Sequence, residues 1–356
     1  MDNKKNFVCA VPFVSFEIHE RSNFLCCPSW LTKHLPEGLG VKESFTCSDA
    51  VEVRDSILDG SYKYCDENQC PFLIDVSKGA KPKMPLYSKS DDTRMPNELK
   101  EAIKAHKERR EWIPRTVQFS MDRSCNLKCP SCRIDLIVAN SDKIKKVKAH
   151  IQEIENEYSS GIKTLYITGS GDPFVSVGFR DFLINFDKSK YPKLENIHLH
   201  TNATRWTKEM WDKMKEVWPY VKSCEISIDA GTKDTYENKT RLGGVWSELI
   251  DNLKFIATIP TLERIKTSFV VQKHNYMEVK TFYDLMIEIF GKKVEVFYGR
   301  INNWGTFTEE EFKEHQVWDK DNPHFEAFVK EVNSLLPAHQ AFHNLHEFLT
   351  EKKSII

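Results

Sequence analysis

The chain has 356 residues, with 51 basic and 52 acidic side chains, and 40% of its residues are hydrophobic. This composition is typical of globular proteins and excludes collagen-like, coiled-coil and intrinsically disordered chains. The balanced charge gives no support to a nucleic-acid partner or to an anionic membrane surface. The longest apolar run near the N-terminus, residues 7–14, is interrupted by Pro12 and is too short to span a membrane, so we expect a cytoplasmic protein with no membrane partner.

The first predicted unit, residues 1–76, is rich in cysteine and contains six of the ten cysteines of the chain. A reducing cytoplasm does not favour structural disulfides, so metal binding is the first interpretation of this cluster. Residues 77–114 follow as a linker rich in Lys, Pro and Ser and a charged helix over 97–112, which we predict to be a solvated connection. The change in composition predicts a domain boundary here.

A repeating pattern begins after residue 115, in which β-branched or aromatic runs alternate with amphipathic stretches of helical period. The predicted strands are 117–121, 164–168, 196–200, 223–228, 266–271 and 293–298. Such alternation indicates an α/β fold with a parallel sheet, either doubly wound or a partial barrel, whose working surface lies at the carboxyl ends of the strands. We predict this core over 115–305, and a helical extension over 306–356 with helices near Glu309 and Phe325.

Three cysteines lie directly after the first of these strands. Cys125, Cys129 and Cys132 have the spacing C-x3-C-x2-C. Three thiolates on one loop can hold three irons of a 4Fe–4S cluster and leave the fourth iron open to another ligand. The alternative is structural zinc, which prefers a closed tetrahedral site and usually paired C-x2-C knuckles.

A second motif follows the second strand, with the sequence Thr168-Gly169-Ser170-Gly171-Asp172-Pro173. With this motif and the cysteine loop, the chain resembles the radical S-adenosylmethionine (SAM) superfamily over residues 115–305. The resemblance implies a partial (β/α)6 TIM-like barrel. It also implies a 4Fe–4S cluster on the three loop cysteines, whose open iron binds the amino and carboxylate groups of SAM.

The resemblance assigns several strand-end residues to SAM binding. The segment Gly169, Ser170, Gly171 and Asp172 would contact the SAM amino group, Arg241 the carboxylate, and Ser227 or Gln272 the ribose, while Asn202 and Asp229 stand at strand ends near the same ligand. Each residue also has an ordinary structural explanation. A β-to-α turn uses Gly and Asp for its geometry, an Arg after a helix is usually solvated, and a polar strand-end residue often caps the next helix.

The N-terminal cysteines resemble the auxiliary-cluster modules of the SPASM/twitch branch of that superfamily. Cys9, Cys26, Cys65 and Cys70 would supply four thiolates to one auxiliary 4Fe–4S cluster, with Cys27 as an alternative to Cys26. Two departures stand out: the module precedes the barrel instead of following it, and Arg21 replaces the glycine expected five residues before Cys26. Structural zinc and inert buried thiols are the alternatives.

The function implied by the resemblance is reductive cleavage of SAM to a 5′-deoxyadenosyl radical, which abstracts hydrogen from a substrate. The predicted substrate is a peptide or a sugar-like small molecule that undergoes oxidation, epimerisation or crosslinking, and the electron comes from an external donor such as flavodoxin or ferredoxin. Two alternative functions remain open: a zinc-stabilised binding module without redox chemistry, and an RNA-modifying radical SAM enzyme.

Overall fold

The computed structural model describes residues 3–79, 83–339 and 343–349, so the remaining positions of the predicted ranges 1–76, 77–114 and 306–356 lie outside it. The strands in the described residues are β1 (Phe7–Cys9), β2 (Ser15–His19), β3 (Asn23–Phe24), β4 (Leu86–Ser88), β5 (Thr116–Ser120), β6 (Thr164–Ile167), β7 (Asn196–Thr201), β8 (Val221–Ser227), β9 (Arg264–Val271) and β10 (Val294–Arg300). The α-helices there are α1 (Val11–Val14), α2 (Val41–Thr46), α3 (Ser48–Leu58), α4 (Pro71–Ser77), α5 (Asn97–Lys107), α6 (Ser141–Glu157), α7 (Val177–Ile184), α8 (Lys208–Asp212), α9 (Lys233–Thr235), α10 (Trp246–Ala257), α11 (Val279–Phe290), α12 (Glu309–His315), α13 (Phe325–His339) and α14 (His346–Leu349).

The main sheet of the described residues has eight strands in the order β10-β9-β8-β7-β6-β5-β2-β3. Strands β5 to β10 are parallel neighbours in chain order, and a helical segment connects each strand to the next. This arrangement confirms the predicted α/β fold with a partial (β/α)6 barrel. All six predicted strands are present, with ends that differ by two residues at most.

The N-terminal segment adds to this sheet. Strand β2 pairs in parallel with β5, from Ser15 opposite Thr116 to His19 opposite Ser120, and β3 pairs antiparallel with β2. The predicted ranges 1–76 and 115–305 therefore share one sheet. Their assignment as separate domains stays a prediction.

The segment predicted as a linker contains structure of its own. Strand β4 pairs with β1, and Leu86 packs in a small core with Phe7 and Val76. Helix α5, predicted to be solvated, buries Leu99 and Ala102 against the N-terminal segment. The high content of Lys, Pro and Ser predicted a solvated linker, but these few apolar residues are enough to pack the segment against its neighbours.

The two faces of the barrel sheet differ in polarity. Aliphatic residues such as Leu165, Ile197 and Ile226 are fully buried and join the helices in one large core. Because side chains alternate along a strand, their neighbours point to the opposite face. That face is polar and half-buried, and it carries Tyr166, His198, His200, Glu225, Ser227 and Lys266.

Candidate functional site

The cysteine loop lies between β5 and α6, at the carboxyl edge of the parallel strands. Cys125 and Cys129 are buried, whereas Cys132 is exposed. Burial raises the pKa of the Cys129 thiol, and the Arg241 cation opposes this shift. The loop therefore presents two sheltered sulfur atoms and one sulfur atom at the surface.

Each of the three sulfur atoms has its own N–H donor, and the three donors belong to three different segments of the chain. Asn202 Nδ2 lies 3.5 Å from Cys125 Sγ, Arg241 Nη1 lies 3.5 Å from Cys129 Sγ, and Arg133 Nη2 lies 3.4 Å from Cys132 Sγ. Donors and positive charge stabilise thiolate over thiol. These donors therefore favour the thiolate form, although burial raises the pKa of Cys125 and of Cys129.

Arg133 was not predicted as a site residue. It is buried and ties the cysteine loop together, because its guanidinium also donates to the carbonyl oxygens of Arg123 and Ser170. Burial lowers the pKa of Arg133, but Cys132, Cys125 and Cys129 together raise it more, so the net shift is upward. A cation directly after the third cysteine is the sequence signal that identifies it.

The predicted glycine motif packs against the cysteine loop. A Cβ atom at Gly171 would lie 2.5 Å from the carbonyl oxygen of Asp122 and 2.7 Å from that of Ser124. The Ser170 hydroxyl donates to the Ser120 carbonyl. The close approach that requires glycine at position 171 is therefore between two backbone segments of this chain, while Gly169 is exposed.

Asp172 is fully buried, and both oxygens of its carboxylate accept hydrogen bonds from the protein. Oδ1 accepts from the Phe174 amide, and Oδ2 accepts from the Thr201 hydroxyl and the Asn202 amide. Burial raises the pKa of Asp172, and these hydrogen bonds oppose the shift. Asp172 thus fixes the end of β7 through hydrogen bonds within the protein.

Asn202 is held in turn by a small polar network. Its Oδ1 accepts from the backbone amide and the hydroxyl of Thr204, and its Nδ2 also reaches Asn126 Oδ1 at 3.2 Å. The amide group is therefore oriented with its N–H atoms toward the cysteine loop. Hydrogen bonds therefore connect Asp172 to Asn202 and Asn202 to Cys125.

Asp229 and Arg241 form a buried ion pair in which Asp229 Oδ2 lies 2.7 Å from Arg241 Nη2. Burial lowers the pKa of Arg241, but Asp229 and the Cys129 thiol raise it more, so the net shift is upward. A π-helical turn, Tyr236–Thr240, immediately precedes Arg241. Such turns are frequent at functional sites because they re-aim the residues that follow.

The two residues predicted near the ribose lie on neighbouring strands. Ser227 Oγ is 3.1 Å from His200 Nε2 and 3.2 Å from the Ser268 hydroxyl. Gln272 directly follows β9 and is buried, and its Nε2 has no hydrogen-bond partner among the described residues. An unpartnered buried donor costs free energy, so it marks a position where a bound molecule would be favourable.

Backbone strain collects at this same edge. Thr168, Ala203 and Asp229 follow β6, β7 and β8, and all three have positive φ angles, of 67°, 61° and 58°. Residues with a Cβ atom rarely adopt this conformation, and it persists where the surroundings impose it, often at functional sites. The strain therefore supports a site at the carboxyl ends of these three strands.

The polar face of the sheet carries a hydrogen-bonded and charged set of side chains. Lys266 Nζ lies 3.1 Å from Glu225 Oε2 and 4.0 Å from the centre of the Phe297 ring. Burial raises the pKa of Glu225, but His200, Lys266 and His198 together lower it more, so the net shift is downward. His198 completes the set, with its Nδ1 2.9 Å from Ser223 Oγ.

The N-terminal cysteines lie around a separate small cavity. Cys9, Cys26, Cys65 and Cys70 line it together with apolar residues, whereas Cys27 does not. Burial, with smaller contributions from nearby cysteines, raises the pKa of Cys9 and of Cys65 to about 12. Of the two adjacent cysteines, the geometry therefore favours Cys26 as a member of this group.

Within the described ranges, no three or more His, Cys, Asp or Glu side chains are arranged to hold a single metal ion. No helix in the described part of the chain is both long and apolar enough to cross a lipid bilayer.

Several known proteins are similar to parts of this chain. The AdoMet-dependent heme synthase of Methanosarcina barkeri is 23% identical over 190 residues, which are 52% of this chain and 50% of that protein, so the chain spans about half the length of this relative. Streptococcus suis SuiB bound to S-adenosylmethionine is 16% identical with a TM-score of 0.45, over 73% of this chain and 56% of SuiB. The AdoMet-bound anSMEcpe is 17% identical with a TM-score of 0.39, over 53% of this chain and 50% of that one. Residues 119–286 match the radical SAM superfamily.

Proposed function

We propose that this chain is a radical SAM enzyme whose Cys125, Cys129 and Cys132 hold a 4Fe–4S cluster with one open iron. The observation that carries the proposal is the matched set of N–H donors, one for each loop sulfur, at the carboxyl edge of the barrel. When bound, such a cluster supplies the electron that cleaves SAM to methionine and a 5′-deoxyadenosyl radical. Hydrogen bonds to the sulfurs tune the potential at which it does so.

The predicted SAM residues divide into two groups. Gly169, Ser170, Ser227 and Gln272 are the candidates for direct contact, because they are partly exposed or, for Gln272, carry an unpartnered donor. The other group, consisting of Asp172, Asn202, Asp229, Arg241 and Gly171, is engaged with the protein itself and with the cysteine loop. We assign this second group to positioning the cluster and the strand ends around SAM.

The proposed substrate is polar, a peptide or a sugar-like small molecule that undergoes oxidation, epimerisation or crosslinking. The support is the open face of the sheet, where His198, His200, Glu225 and Lys266 offer hydrogen bonds and charge. Polar groups at fixed positions in a cleft orient a substrate and determine its class. An RNA substrate gains no support from the balanced charge of the chain.

The N-terminal cavity supports an auxiliary 4Fe–4S cluster on Cys9, Cys26, Cys65 and Cys70. Four thiols at one apolar cavity match the closed cysteine ligation of such clusters. Its proposed roles are to accept an electron from an oxidised substrate or to hold the segment together. An external protein such as flavodoxin or ferredoxin would reduce the barrel cluster, as in a cytoplasmic enzyme.

The test is the metal content and SAM chemistry of anaerobically prepared protein. We expect about eight irons per chain, since two cubes of four irons each are proposed. Replacing Cys125, Cys129 and Cys132 with Ala should remove about half of the iron and abolish the formation of 5′-deoxyadenosine by dithionite-reduced protein. The Cys224→Ala variant is the control, because Cys224 is buried in the barrel core away from both groups. Zinc in place of iron, or wild-type protein that never cleaves SAM, would overturn the proposal in favour of a zinc-stabilised binding module.

A further inference from the structure

A solvent-open cavity lies beside the cysteine loop and separate from the cysteine cavity of the N-terminal segment. Its lining includes Glu20 and Arg21 from the β2–β3 turn, and Lys143, Lys146 and His150 from one face of α6. Met121, the residue after β5, forms part of the same lining. None of these residues was predicted as part of a site, and none has a role in the proposed SAM chemistry.

The position of the cavity follows from the topology of the sheet. Strands β2 and β5 are parallel neighbours and end together at the pair His19 and Ser120. From β2 the chain turns to β3 at the edge of the sheet, and from β5 it passes through α6 to β6 on the opposite side. Adjacent strands whose connections leave in opposite directions open a crevice at their carboxyl ends, which is the usual ligand site of open α/β sheets.

The charge of the cavity is positive. Lys143 Nζ is paired with Glu20 Oε2 at 2.8 Å. Among the described residues neither Arg21 nor Lys146 has an ion-pair partner, and His150 Nδ1 is buried without a hydrogen-bond partner. Three cations face one carboxylate, which leaves two positive charges uncompensated in one concave site.

We propose that this crevice binds the phosphate group of a phosphorylated small molecule, with Arg21 and Lys146 as its charged ligands. A phosphate monoester carries nearly two negative charges at neutral pH and offers three acceptor oxygens, which match the two free cations and the donors around them. Arginine and lysine are the side chains that bind phosphate most often, arginine through its planar fork and lysine as a point charge. A monocarboxylate would leave one cation uncompensated.

The experiment measures binding of glycerol 3-phosphate to the full, iron-loaded chain by isothermal titration calorimetry, without any activity assay. We expect saturable binding at one site. The double variant Arg21→Gln/Lys146→Gln should weaken it by about tenfold or more, because two charge-assisted hydrogen bonds are lost. Each single variant should give an intermediate affinity, so the proposal remains testable if the double variant folds poorly.

Lys145→Gln is the matched control. Lys145 precedes Lys146 on α6, pairs with Asp142 at 3.7 Å and does not line the cavity, so its loss should leave the affinity unchanged. Absence of saturable binding, or an affinity that the double variant leaves intact, would overturn the proposal. An equal loss in Lys145→Gln would also overturn it by showing a general effect of surface charge. Equal binding of succinate would overturn the assignment of phosphate as the ligand group.

Discussion

At the scale of a single residue, we expect Arg133 to affect the reduction potential of the proposed cluster. It supplies the donor to Cys132, the exposed cysteine of the loop, and so adds positive charge beside the proposed cluster. Reduction adds negative charge to a cluster, so a nearby cation stabilises the reduced state and raises the potential. We expect Arg133→Gln to lower the potential by on the order of 50 mV, which for one electron corresponds to about 1 kcal/mol. A redox titration followed by electron paramagnetic resonance measures this shift.

Arg123→Gln is the comparison for this measurement. Arg123 is exposed, and only its backbone carbonyl contacts Arg133, so its replacement should leave the potential unchanged. Arg133→Lys should retain part of the effect because the charge remains. If Arg133→Gln keeps the full iron content and the wild-type potential, Arg133 has no effect on the potential and its role is limited to stabilising the loop.

His198 gives the fold a dependence on pH. Burial lowers its pKa to about 4, compared with about 6.5 in an unfolded chain. Between these values the unfolded state binds more protons than the folded state, so the free energy of unfolding falls as the pH falls through this range. From pH 7 to pH 5 we expect His198 to contribute about 2 kcal/mol of this loss.

Urea unfolding at pH 7 and pH 5 tests the contribution of His198. The His198→Gln variant should lose about 2 kcal/mol less than wild type between the two values, whatever its stability at pH 7. The surface variant His34→Gln provides the comparison, since His34 is exposed. The same pH dependence in wild type and His198→Gln would contradict the assignment.

At the scale of elements, local pattern predicted the barrel strands well and the N-terminal strand poorly. The six parallel strands carry apolar residues in short runs between amphipathic helices, and this signal is local. Strand β2 also alternates, with Phe16 and Ile18 buried, but its partner β5 lies about one hundred residues away in the sequence. Nothing in a local pattern selects so distant a partner.

The candidate site also has one part that the local sequence indicates and another part that it does not. The spacing of Cys125, Cys129 and Cys132 is a local signal and indicates the loop directly. The donor Asn202 reaches the sulfurs from the end of β7, and Arg241 reaches them from the turn after the π-helical segment. The sequence predicted both near SAM without showing their contact with the cysteine loop. Contacts of this kind depend on the curvature of the sheet, which residue type and spacing do not specify.

Gly171 joins two of these elements, the cysteine loop and the turn after β6. In Gly171→Ala the new Cβ would meet backbone carbonyl oxygens at 2.5 and 2.7 Å, and backbone cannot move aside without displacing the loop. We expect a loss of about 1–3 kcal/mol in the free energy of unfolding and a lower iron content. Chemical unfolding and iron analysis measure the two effects.

Gly169→Ala is the matched control for Gly171→Ala. There the new Cβ would meet the flexible end of Gln118 at 3.0 Å, a side chain that can shift. Its effect on stability and iron content should be distinctly smaller. Equal effects of the two substitutions would show that the loops do not depend on the close approach at Gly171.

At the scale of the whole molecule, the N-terminal segment is built into the barrel. Within that segment Arg54 is buried, donates to the carbonyl oxygens of Pro12 and Phe45, and lies 4.6 Å from the Trp112 ring, and the Phe45 ring packs in turn against Tyr158 of the barrel. Burial lowers the pKa of Arg54 to about 9. With the β2–β5 pairing, these contacts fix the N-terminal cysteine cavity relative to the barrel. The two proposed clusters are therefore held at a constant separation.

The two cysteine groups lie on one scaffold, but each has its own set of proposed cluster ligands. Cys65 and Cys70 line the N-terminal cavity, and no contact joins them to the loop of Cys125 among the contacts of the described residues. The double variant Cys65→Ala/Cys70→Ala should therefore lose about half of the iron and still cleave SAM when reduced with dithionite. Iron analysis and chromatography of 5′-deoxyadenosine measure the two outcomes, with Cys47→Ala as the control because Cys47 lies outside the cavity. A soluble double variant that has lost SAM cleavage would show that the barrel site depends on an intact N-terminal cluster. A double variant that keeps all of its iron would remove Cys65 and Cys70 from the proposed ligands.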